Sequence, residues 1–215
     1  MTTVVCNAII FDMDGTLIDT NECIENVWRI WGERYNIEIK EILHGRTAME
    51  SIEVLAPHLA TEKSVVELEG MVLDEIDNVK LIPGAKEFIA KLPENSWTIA
   101  TSASKELATA NLNHVGIPVP ETMITAEKVS NGKPHPEPFL KAAELLNTTC
   151  DKCIVFEDSL SGLKAGYESG ATVIGLTTTH SKDELKLAKH TIDDFRNIKL
   201  SIKEGISDKK IIVSF

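Results

Sequence analysis

The sequence predicts an α/β fold, a doubly wound parallel sheet with an inserted all-helical cap domain, and two observations favour it. From about residue 81 onward, apolar runs of strand length alternate with stretches of helical periodicity, as in a parallel sheet covered by helices. Residues 19–78, by contrast, show helical periods and no convincing strand. We therefore predict a core domain over residues 1–18 and 81–215 and a helical cap domain over residues 19–80.

The first strand of the predicted sheet is the apolar run Ala8–Phe11. Its continuous hydrophobicity is typical of a strand that is buried on both faces. Asp12 and Asp14 follow it, and Gly15 then permits a tight turn. Two carboxylates at the end of a buried strand are costly unless a cation compensates them, and Mg²⁺ prefers such oxygen ligands. The alternative is a simple Asx-type turn, since Asp and Gly are common turn residues.

The inserted segment is predicted to hold four helices. The first begins after Asp19 and has one apolar face, formed by Ile24, Val27, Trp28, Trp31 and Tyr35. A second, short helix runs to His44 and ends at Gly45, and a third covers residues 47–55. The fourth runs from residue 61 to about residue 76, with apolar residues at helical spacing along one side.

Beyond the turn signal at Pro83 and Gly84, strands and helices are expected to alternate. We predict a helix through Phe88, strands at residues 97–101, 122–125, 153–156 and 172–176, and further helices at residues 106–115, 136–146, 160–169 and 183–189. The tail, residues 200–215, is predicted to form a hairpin around Glu204 and Gly205.

Composition and charge limit the classes of partner. Hydrophobic residues make up 43% and charged residues 26% of the chain, and no apolar run approaches the ~20 residues of a membrane helix. The net charge of −11 disfavours binding to nucleic acid or to an anionic membrane. A small phosphorylated metabolite remains possible as a ligand, because a metal ion and a few basic residues reverse the potential locally. We expect a cytoplasmic monomer.

The cysteines favour a reducing compartment. Cys150 and Cys153 have the spacing of a redox or zinc motif, but no second Cys or His pair stands at zinc-ligand spacing. The residues that follow are predicted to form a strand, so no helix start is available to lower a thiol pKa. We therefore assign no role to this pair.

Short polar segments follow the predicted strands or open the helix before one, at residues 12–14, 101–104, 131–134 and 157–159. In a doubly wound sheet, ligands bind at the carboxyl ends of the strands. Each segment alone has a structural explanation: Ser102 and Ser104 as helix N-caps, Lys133 as a solvated loop residue, and residues 157–158 as a surface turn. Their common placement instead predicts one joint site.

Together, D-M-D-G-T, T-S-A-S, G-K-P and E-D-S resemble the four motifs of the haloacid dehalogenase superfamily, in that family's order and over essentially the whole chain. The resemblance implies a Rossmann-like core that performs phosphoryl transfer. It implies that Asp12 is the nucleophile and Asp14 the general acid and base. It also implies that Mg²⁺ is held by the Asp12 and Asp158 carboxylates and the Asp14 backbone carbonyl. Glu157 would lie behind these ligands or bind through water.

The resemblance also implies the substrate contacts. Ser102 and the Ala103 N–H correspond to the phosphate-binding motif, and Lys133 to the residue that neutralises charge on the transferring phosphoryl group. Thr20 is expected on the substrate side of the site. His44 and Arg46 lie in the cap sequence, where closure would bring them onto substrate hydroxyls or phosphate. The alternative for this pair is a solvated loop between helices.

The helical cap resembles the C1-type branch that contains sugar phosphatases and β-phosphoglucomutase. D-T at residues 19–20, L-H-G-R-T at 43–47 and G-K-P-H-P-E-P at 132–138 look most similar to glycerol-3-phosphate and 2-deoxyglucose-6-phosphate phosphatases. The expected function is Mg²⁺-dependent hydrolysis of small phosphorylated sugars or polyols through an aspartyl phosphate. One alternative is a phosphosugar mutase, which Thr16, His44 and Ala48 disfavour because the mutase has other residue types there. The other is a non-catalytic phosphate-binding regulatory relative, which would need a broken motif.

Overall fold

The computed structural model describes residues 2–204 and 209–215. Its strands are β1 (Thr3–Cys6), β2 (Ala8–Phe11), β3 (Ile18–Asp19), β4 (Lys80–Leu81), β5 (Trp97–Ile99), β6 (Cys153–Glu157), β7 (Thr172–Leu176), β8 (His190–Ile192), β9 (Lys199–Glu204) and β10 (Lys209–Ser214). Its α-helices are α1 (Asn21–Tyr35), α2 (Ala48–Leu55), α3 (Glu62–Asp74), α4 (Ala85–Ile89), α5 (Lys105–Val115), α6 (Glu137–Leu145) and α7 (Leu160–Glu168). Within these ranges no helix is long and apolar enough to cross a membrane.

The central sheet is parallel and has the strand order β5-β2-β6-β7-β8. In the described residues, the strand predicted at residues 122–125 is reduced to a single bridge between Ala100 and Ile124. β2 and β6 pair as far as Phe11 and Phe156. The residues that follow these two central strands therefore start side by side at the carboxyl edge of the sheet.

The two faces of this sheet carry separate apolar cores, because side chains alternate along each strand. One face buries Ile9 and Phe11 of β2 together with residues of α4 and α5. The other buries Ala8 and Ile10 together with residues of α6 and α7. Helices on both faces of a parallel sheet confirm the predicted doubly wound α/β fold.

The chain between β3 and β4 contains the helices α1, α2 and α3. α1 buries the centre of the apolar face predicted from its periodicity, namely Val27, Trp28 and Trp31, while Ile24 is half-buried and Tyr35 is exposed. α2 begins with a capping box, in which Thr47 and Glu50 exchange hydrogen bonds. β3 and β4 pair antiparallel, with Asp19 opposite Lys80. The two connections between this helical segment and the rest of the chain thus lie side by side.

A second, antiparallel sheet has the strand order β1-β10-β9 and joins the two ends of the chain. Val4 of β1 lies opposite Val213 of β10, and both are buried. The hairpin predicted for residues 200–215 is confirmed by the pairing of β9 with β10. Gly205, where the turn was expected, lies outside the described residues.

Two predicted helices are wrong. The helix expected to run to His44 does not form: Asn36 has a φ of 56° and ends α1, and the Ile37 N–H donates back to the Gly32 carbonyl at 2.8 Å. The helix expected at residues 183–189 is replaced by turns, because the Lys189 N–H donates to the Val173 carbonyl at 2.9 Å and leads the chain into β8.

We expect Phe11→Ala to lower the free energy of unfolding by about 3–5 kcal/mol, because it opens a cavity where relaxation is limited. Phe11 is fully buried and stacks on Phe156, with ring centroids 5.3 Å apart, among the rings of Phe88, Trp97 and Phe195. Urea unfolding followed by tryptophan fluorescence measures the change. Tyr167→Ala is the control, since that ring is 61% exposed on α7. Equal losses in the two variants would contradict the assignment of this core.

Candidate active site

The loop after β2 turns sharply and brings its acids to the edge of the sheet. The Asp12 N–H donates to the Phe156 carbonyl at 3.0 Å, so Asp12 still belongs to the β2–β6 ladder. Gly15 then has a φ of +77°, a conformation that favours glycine. A Cβ at this position would lie 2.1 Å from Asp158 Oδ2. The loop after β2 and the end of β6 therefore touch only because residue 15 has no side chain.

A buried lysine joins the ends of β2 and β6. The Lys133 side chain is fully buried, and its ammonium donates to the Asp12 carboxylate and, at 2.8 Å, to Glu157 Oε1. The other oxygen of Glu157 accepts from the Ser159 N–H at 2.7 Å and the Ser159 hydroxyl at 3.0 Å. The solvated loop position considered for Lys133 is thus wrong, since the side chain lies at the centre of the site.

Hydroxyl groups hold the Asp158 carboxylate. Thr16 Oγ1 donates to Asp158 Oδ1 at 2.9 Å, and Thr179 Oγ1 donates to Asp158 Oδ2. Sequence reasoning did not identify Thr179. The signal that could have found it is the run of three threonines, residues 177–179, directly after the buried strand β7. The same criterion, polar residues at the end of a strand, locates three of the four predicted segments, at residues 12–14, 101–104 and 157–159.

Asp12, Glu157 and Asp158 form a group that could hold a metal ion. One carboxylate oxygen from each lies within 4.8 Å of the others, and all three residues are buried. Their three negative charges exceed the single positive charge of Lys133, so the donor set and its charge suit a hard divalent cation. The structure thus brings Asp12 and Asp158 together as predicted, and it places Glu157 as close as they are.

The Asp14 side chain has different surroundings. Its carboxylate does not belong to the group that could hold a metal ion, and it accepts a hydrogen bond from Thr20 Oγ1 at 2.8 Å. Thr20 is itself buried and is not among the residues that line the cavity described below, so it contacts Asp14 from behind and does not lie on the substrate side as expected. The arrangement leaves the Asp14 carboxylate available at the cavity wall while one hydroxyl fixes its orientation.

Burial dominates the protonation of these groups. It raises the pKa of Asp12 and of Asp14, and together with the charge of Glu157 it raises the pKa of Asp158 to about 8. Burial alone would lower the pKa of Lys133, but the charges of Asp12 and Glu157 outweigh that effect and raise it. Without a metal ion, the site therefore has more carboxylates than its single cation can keep ionised.

The predicted phosphate-binding donors already have protein partners. The Ser102 hydroxyl donates to the Gly45 carbonyl at 2.8 Å, and the Ala103 N–H donates to Thr101 Oγ1 at 3.0 Å. Ser104 Oγ accepts from the Leu107 N–H and is the N-cap of α5, which is the structural role considered for it. Ser102 has no such role, and its hydroxyl connects the end of β5 to the helical segment.

The loop of residues 43–46 packs against the core and is half-buried. The His44 carbonyl accepts from Ser161 Oγ at 2.8 Å, next to the contact between Gly45 and Ser102. A Cβ at Gly45 would lie 2.1 Å from Ser159 Oγ, and its φ of +79° also favours glycine. Burial and the nearby His180 lower the pKa of His44. This loop is therefore in contact with the site and does not extend into solvent.

A cavity of about 110 Å³ lies between the sheet edge and the helical segment. Predicted site residues that line it are Asp12, Asp14, His44, Arg46, Ser102, Ala103 and Asp158. Lys133 and Glu157 lie beneath Asp12 and do not reach the cavity surface. The opposite wall is largely apolar, with Ile24, Trp28, Leu68, Val72 and Leu107. Glu69 of α3 also lines it, and sequence reasoning did not single this residue out.

Known proteins resemble this chain over most of its length. A family model for haloacid dehalogenase-like hydrolases matches residues 9–176. Hexitol phosphatase A of Escherichia coli is 32% identical over 203 residues, which cover 87% of this chain and 92% of that protein. 2-Deoxyglucose-6-phosphate phosphatase 2 of Saccharomyces cerevisiae is 34% identical over 203 residues, 82% of either chain. A crystal structure of β-phosphoglucomutase from Clostridium difficile has a TM-score of 0.78 at 26% identity, covering 90% of this chain and 93% of that one. The resemblance predicted from the motifs is confirmed.

We expect the chelated protein to lose stability as the pH rises from about 4 to about 8. The folded pKa of Asp158 is about 8, well above its unfolded value, so the folded state binds more protons in this window and stability falls with pH. Urea unfolding at several pH values, with chelator or with Mg²⁺, measures this dependence. Mg²⁺ should stabilise the protein more at the upper end of the window, where the carboxylates are ionised. A flat profile that Mg²⁺ does not change would contradict the proposed charge balance.

Proposed function

The chain belongs to the haloacid dehalogenase-like hydrolase family, and we propose that it is a Mg²⁺-dependent phosphatase of small phosphorylated sugars or polyols. Hexose phosphates, 2-deoxyglucose 6-phosphate and glycerol 3-phosphate are representative substrates. One observation carries the proposal: Asp12, paired with buried Lys133, and Asp14 share one wall of a cavity whose other wall is largely apolar. The names of the relatives, a hexitol phosphatase and a 2-deoxyglucose-6-phosphate phosphatase, support this class of substrate.

The domain organisation is part of the proposal. Residues 1–18 and 81–215 form the core, and residues 19–80 form the cap that closes over it. The pairing of β3 with β4 supports these limits, since Ile18 lies opposite Leu81 and Asp19 opposite Lys80 at the two boundaries. The cap supplies one wall of the cavity and the core supplies the other. Movement of the cap about the β3–β4 ribbon would admit substrate and then exclude water.

Asp12 acts as the nucleophile. Its carboxylate oxygen attacks the phosphorus of the substrate and forms an aspartyl phosphate, while the bond from phosphorus to the sugar or polyol oxygen breaks. Lys133, held between Asp12 and Glu157, keeps positive charge behind the attacking carboxylate, where it offsets negative charge on the transferring group. Because Lys133 is fully buried and paired with both Asp12 and Glu157, its side chain need not move during the reaction.

Asp14 moves the protons. It gives its proton to the departing alcohol oxygen, and in the second step it takes a proton from the water that attacks the aspartyl phosphate. Its raised pKa suits the first role, since a carboxylic acid must still carry its proton when substrate arrives. Thr20 is a positioning residue, because its hydroxyl holds one oxygen of Asp14 at 2.8 Å.

The metal site would be made by the Asp12 and Asp158 carboxylates and the Asp14 backbone carbonyl. Glu157 would lie behind these ligands or bind through water. Mg²⁺ bound there would supply positive charge against the phosphoryl oxygens and would help to orient the phosphoryl group. Thr16 and Thr179 fix the Asp158 carboxylate from two sides, so this ligand is held in place by the chain itself.

Phosphate binding exchanges one set of hydrogen bonds for another. Ser102 Oγ and the Ala103 N–H turn from the Gly45 carbonyl and Thr101 to the phosphate oxygens. The contact between Ser102 and Gly45 therefore links substrate entry to the cap loop that carries His44 and Arg46. These two side chains then contact substrate hydroxyls or phosphate from the cap side.

The mutase alternative is disfavoured by the cavity lining. A mutase must hold a second phosphate with its cap, but Ala48 lines the cavity where that family has an arginine. Thr16, which replaces an aliphatic residue of the mutase, donates its hydroxyl to Asp158. A non-catalytic relative is disfavoured as well, because none of the four motifs is broken.

The proposal includes a cytoplasmic monomer that acts on a small metabolite and binds neither nucleic acid nor membrane. All four cysteines are free and buried, which suits a reducing compartment. Burial raises the pKa of the Cys150 and Cys153 thiols, so neither is activated for redox chemistry.

Replacement of the two loop acids tests the chemistry. We expect Asp12→Asn to abolish Mg²⁺-dependent phosphate release from a panel of phosphorylated C3 to C6 sugars and polyols, since the nucleophile is lost. Asp14→Asn should lower turnover roughly 10²–10⁴-fold, because proton transfer is lost while the backbone carbonyl remains. Asp151→Asn, at an exposed position before β6, is the control and should keep full activity. Wild-type turnover in either loop variant contradicts the mechanism.

Arg46→Ala tests the role of the cap loop. We expect kcat/KM for the best sugar phosphate to fall far more than for p-nitrophenyl phosphate, which has no hydroxyls for the cap to contact. Arg29→Ala is the matched control, since that guanidinium is exposed on α1 and pairs with Glu33. An equal loss of kcat/KM on both substrates would show that Arg46 supports the fold or the overall electrostatic potential of the site. Unchanged kinetics on both would remove Arg46 from the site.

A further inference from the structure

Glu69 is the one carboxylate that the described residues of the helical segment place in the cavity lining, and its neighbours on α3 there, Leu68 and Val72, are apolar. It extends from α3 into the cavity between Leu68 and Val72 of the same helix, which also line it. Burial raises the pKa of Glu69 above its usual range, so this carboxylate has lost part of its hydration. An apolar residue would cost less at such a position. The presence of an acid here is therefore not explained by packing.

The structural contacts of Glu69 do not require its charge. Within the described residues, the hydrogen bonds that reach it come from Ser104, whose N–H donates to Glu69 Oε1 at 3.3 Å. This contact joins α3 to the start of α5, two residues after Ser102. A neutral acceptor would serve it equally well, since a backbone N–H needs one lone pair and no charge. The charge of Glu69 remains to be explained.

Further acids surround this end of the cavity. Glu106 and Glu127 are close enough to raise the pKa of Glu69, and the charge of Glu69 in turn raises that of Asp14. In the part of the chain that the structure describes, the cavity lining contains one guanidinium, Arg46. Among the described residues no ion pair joins Arg46 to Glu69, and the charges that act on Glu69 are those of Glu106 and Glu127. This end of the cavity is therefore negative around Glu69.

We propose that Glu69 is a specificity-determining residue, which accepts hydrogen bonds from the hydroxyls of the departing alcohol and rejects substrates that carry a second anionic group. This inference rests on the proposed function and refines it. The phosphate on the core side is met by Ser102, the Ala103 N–H and the metal site, with the charge of Lys133 behind Asp12. A second phosphate or a carboxylate on the cap side would lie beside Glu69, where like charges repel. Neutral polyol and sugar monophosphates are the substrates that remain.

The test compares substrates of different charge on one variant. kcat/KM is measured with Mg²⁺ for glycerol 3-phosphate, a hexitol 6-phosphate, fructose 1,6-bisphosphate and 3-phosphoglycerate. Wild type should prefer the first two. Glu69→Gln keeps the acceptor for Ser104 and removes the charge, so the ratio of kcat/KM for the doubly charged substrates to that for the polyol phosphates should rise about tenfold or more. Glu69→Asp, which keeps the charge, should retain the wild-type preference.

Glu62→Gln is the matched control, because it makes the same change at an exposed position in the first turn of α3. It should leave the ratio as in wild type. If Glu69→Gln does not fold, Glu69→Met replaces it with a residue that suits a helix, and the ratio should shift in the same direction. A ratio that stays within twofold of wild type in the folded neutral variant overturns the inference while the phosphatase stands. Absence of Mg²⁺-dependent hydrolysis of every substrate by wild type overturns both.

Discussion

The buried pairing of Lys133 with Asp12 and Glu157 is the interaction on which the rest of the site depends. It joins the ends of the two central strands to the loop before α6, and all three side chains are withdrawn from water. Buried ion pairs add little net stability, but removal of one partner costs about 3–5 kcal/mol because a charge is left without compensation. The pair therefore fixes the relative positions of three chain segments more than it stabilises the fold. Its excess negative charge is what a metal ion would neutralise.

The sheet and the helical segment contribute different properties to the cavity. Parallel strands deliver the acids to one edge, where their positions are set by backbone pairing and by hydroxyls such as Thr16 and Thr179. The helical segment lines the cavity with few charged and many apolar side chains. The carbonyls of His44 and Gly45 in this segment accept hydrogen bonds from the core. The two parts are coupled, because a Cβ at Gly45 of the helical segment would lie 2.1 Å from Ser159 Oγ, next to the acids.

The core of the site could be predicted because each of its residues lies next to a strong local signal. Asp12 and Glu157 end or follow buried apolar runs, and those runs identify the edge at which they meet. Glu69 could not be predicted, because a glutamate on an amphipathic helix has the same local pattern whether it faces solvent or a cavity. The helix expected up to His44 failed for a local reason: Asn36 adopts a left-handed φ of 56°, and the Ile37 N–H returns to the Gly32 carbonyl and closes the end of α1.

The β3–β4 ribbon has a consequence for how such enzymes diversify. The helical segment leaves the core at Asp19 and returns at Lys80, and these residues are direct partners across the ribbon. An insert whose two ends emerge side by side can be lengthened, shortened or exchanged without separating the strands that it interrupts. Recombination at this point would therefore give the same catalytic edge a new set of cavity walls. Because the β3–β4 ribbon holds both ends of the helical segment together, that segment could be replaced while the acids at the edge of the sheet stay in place.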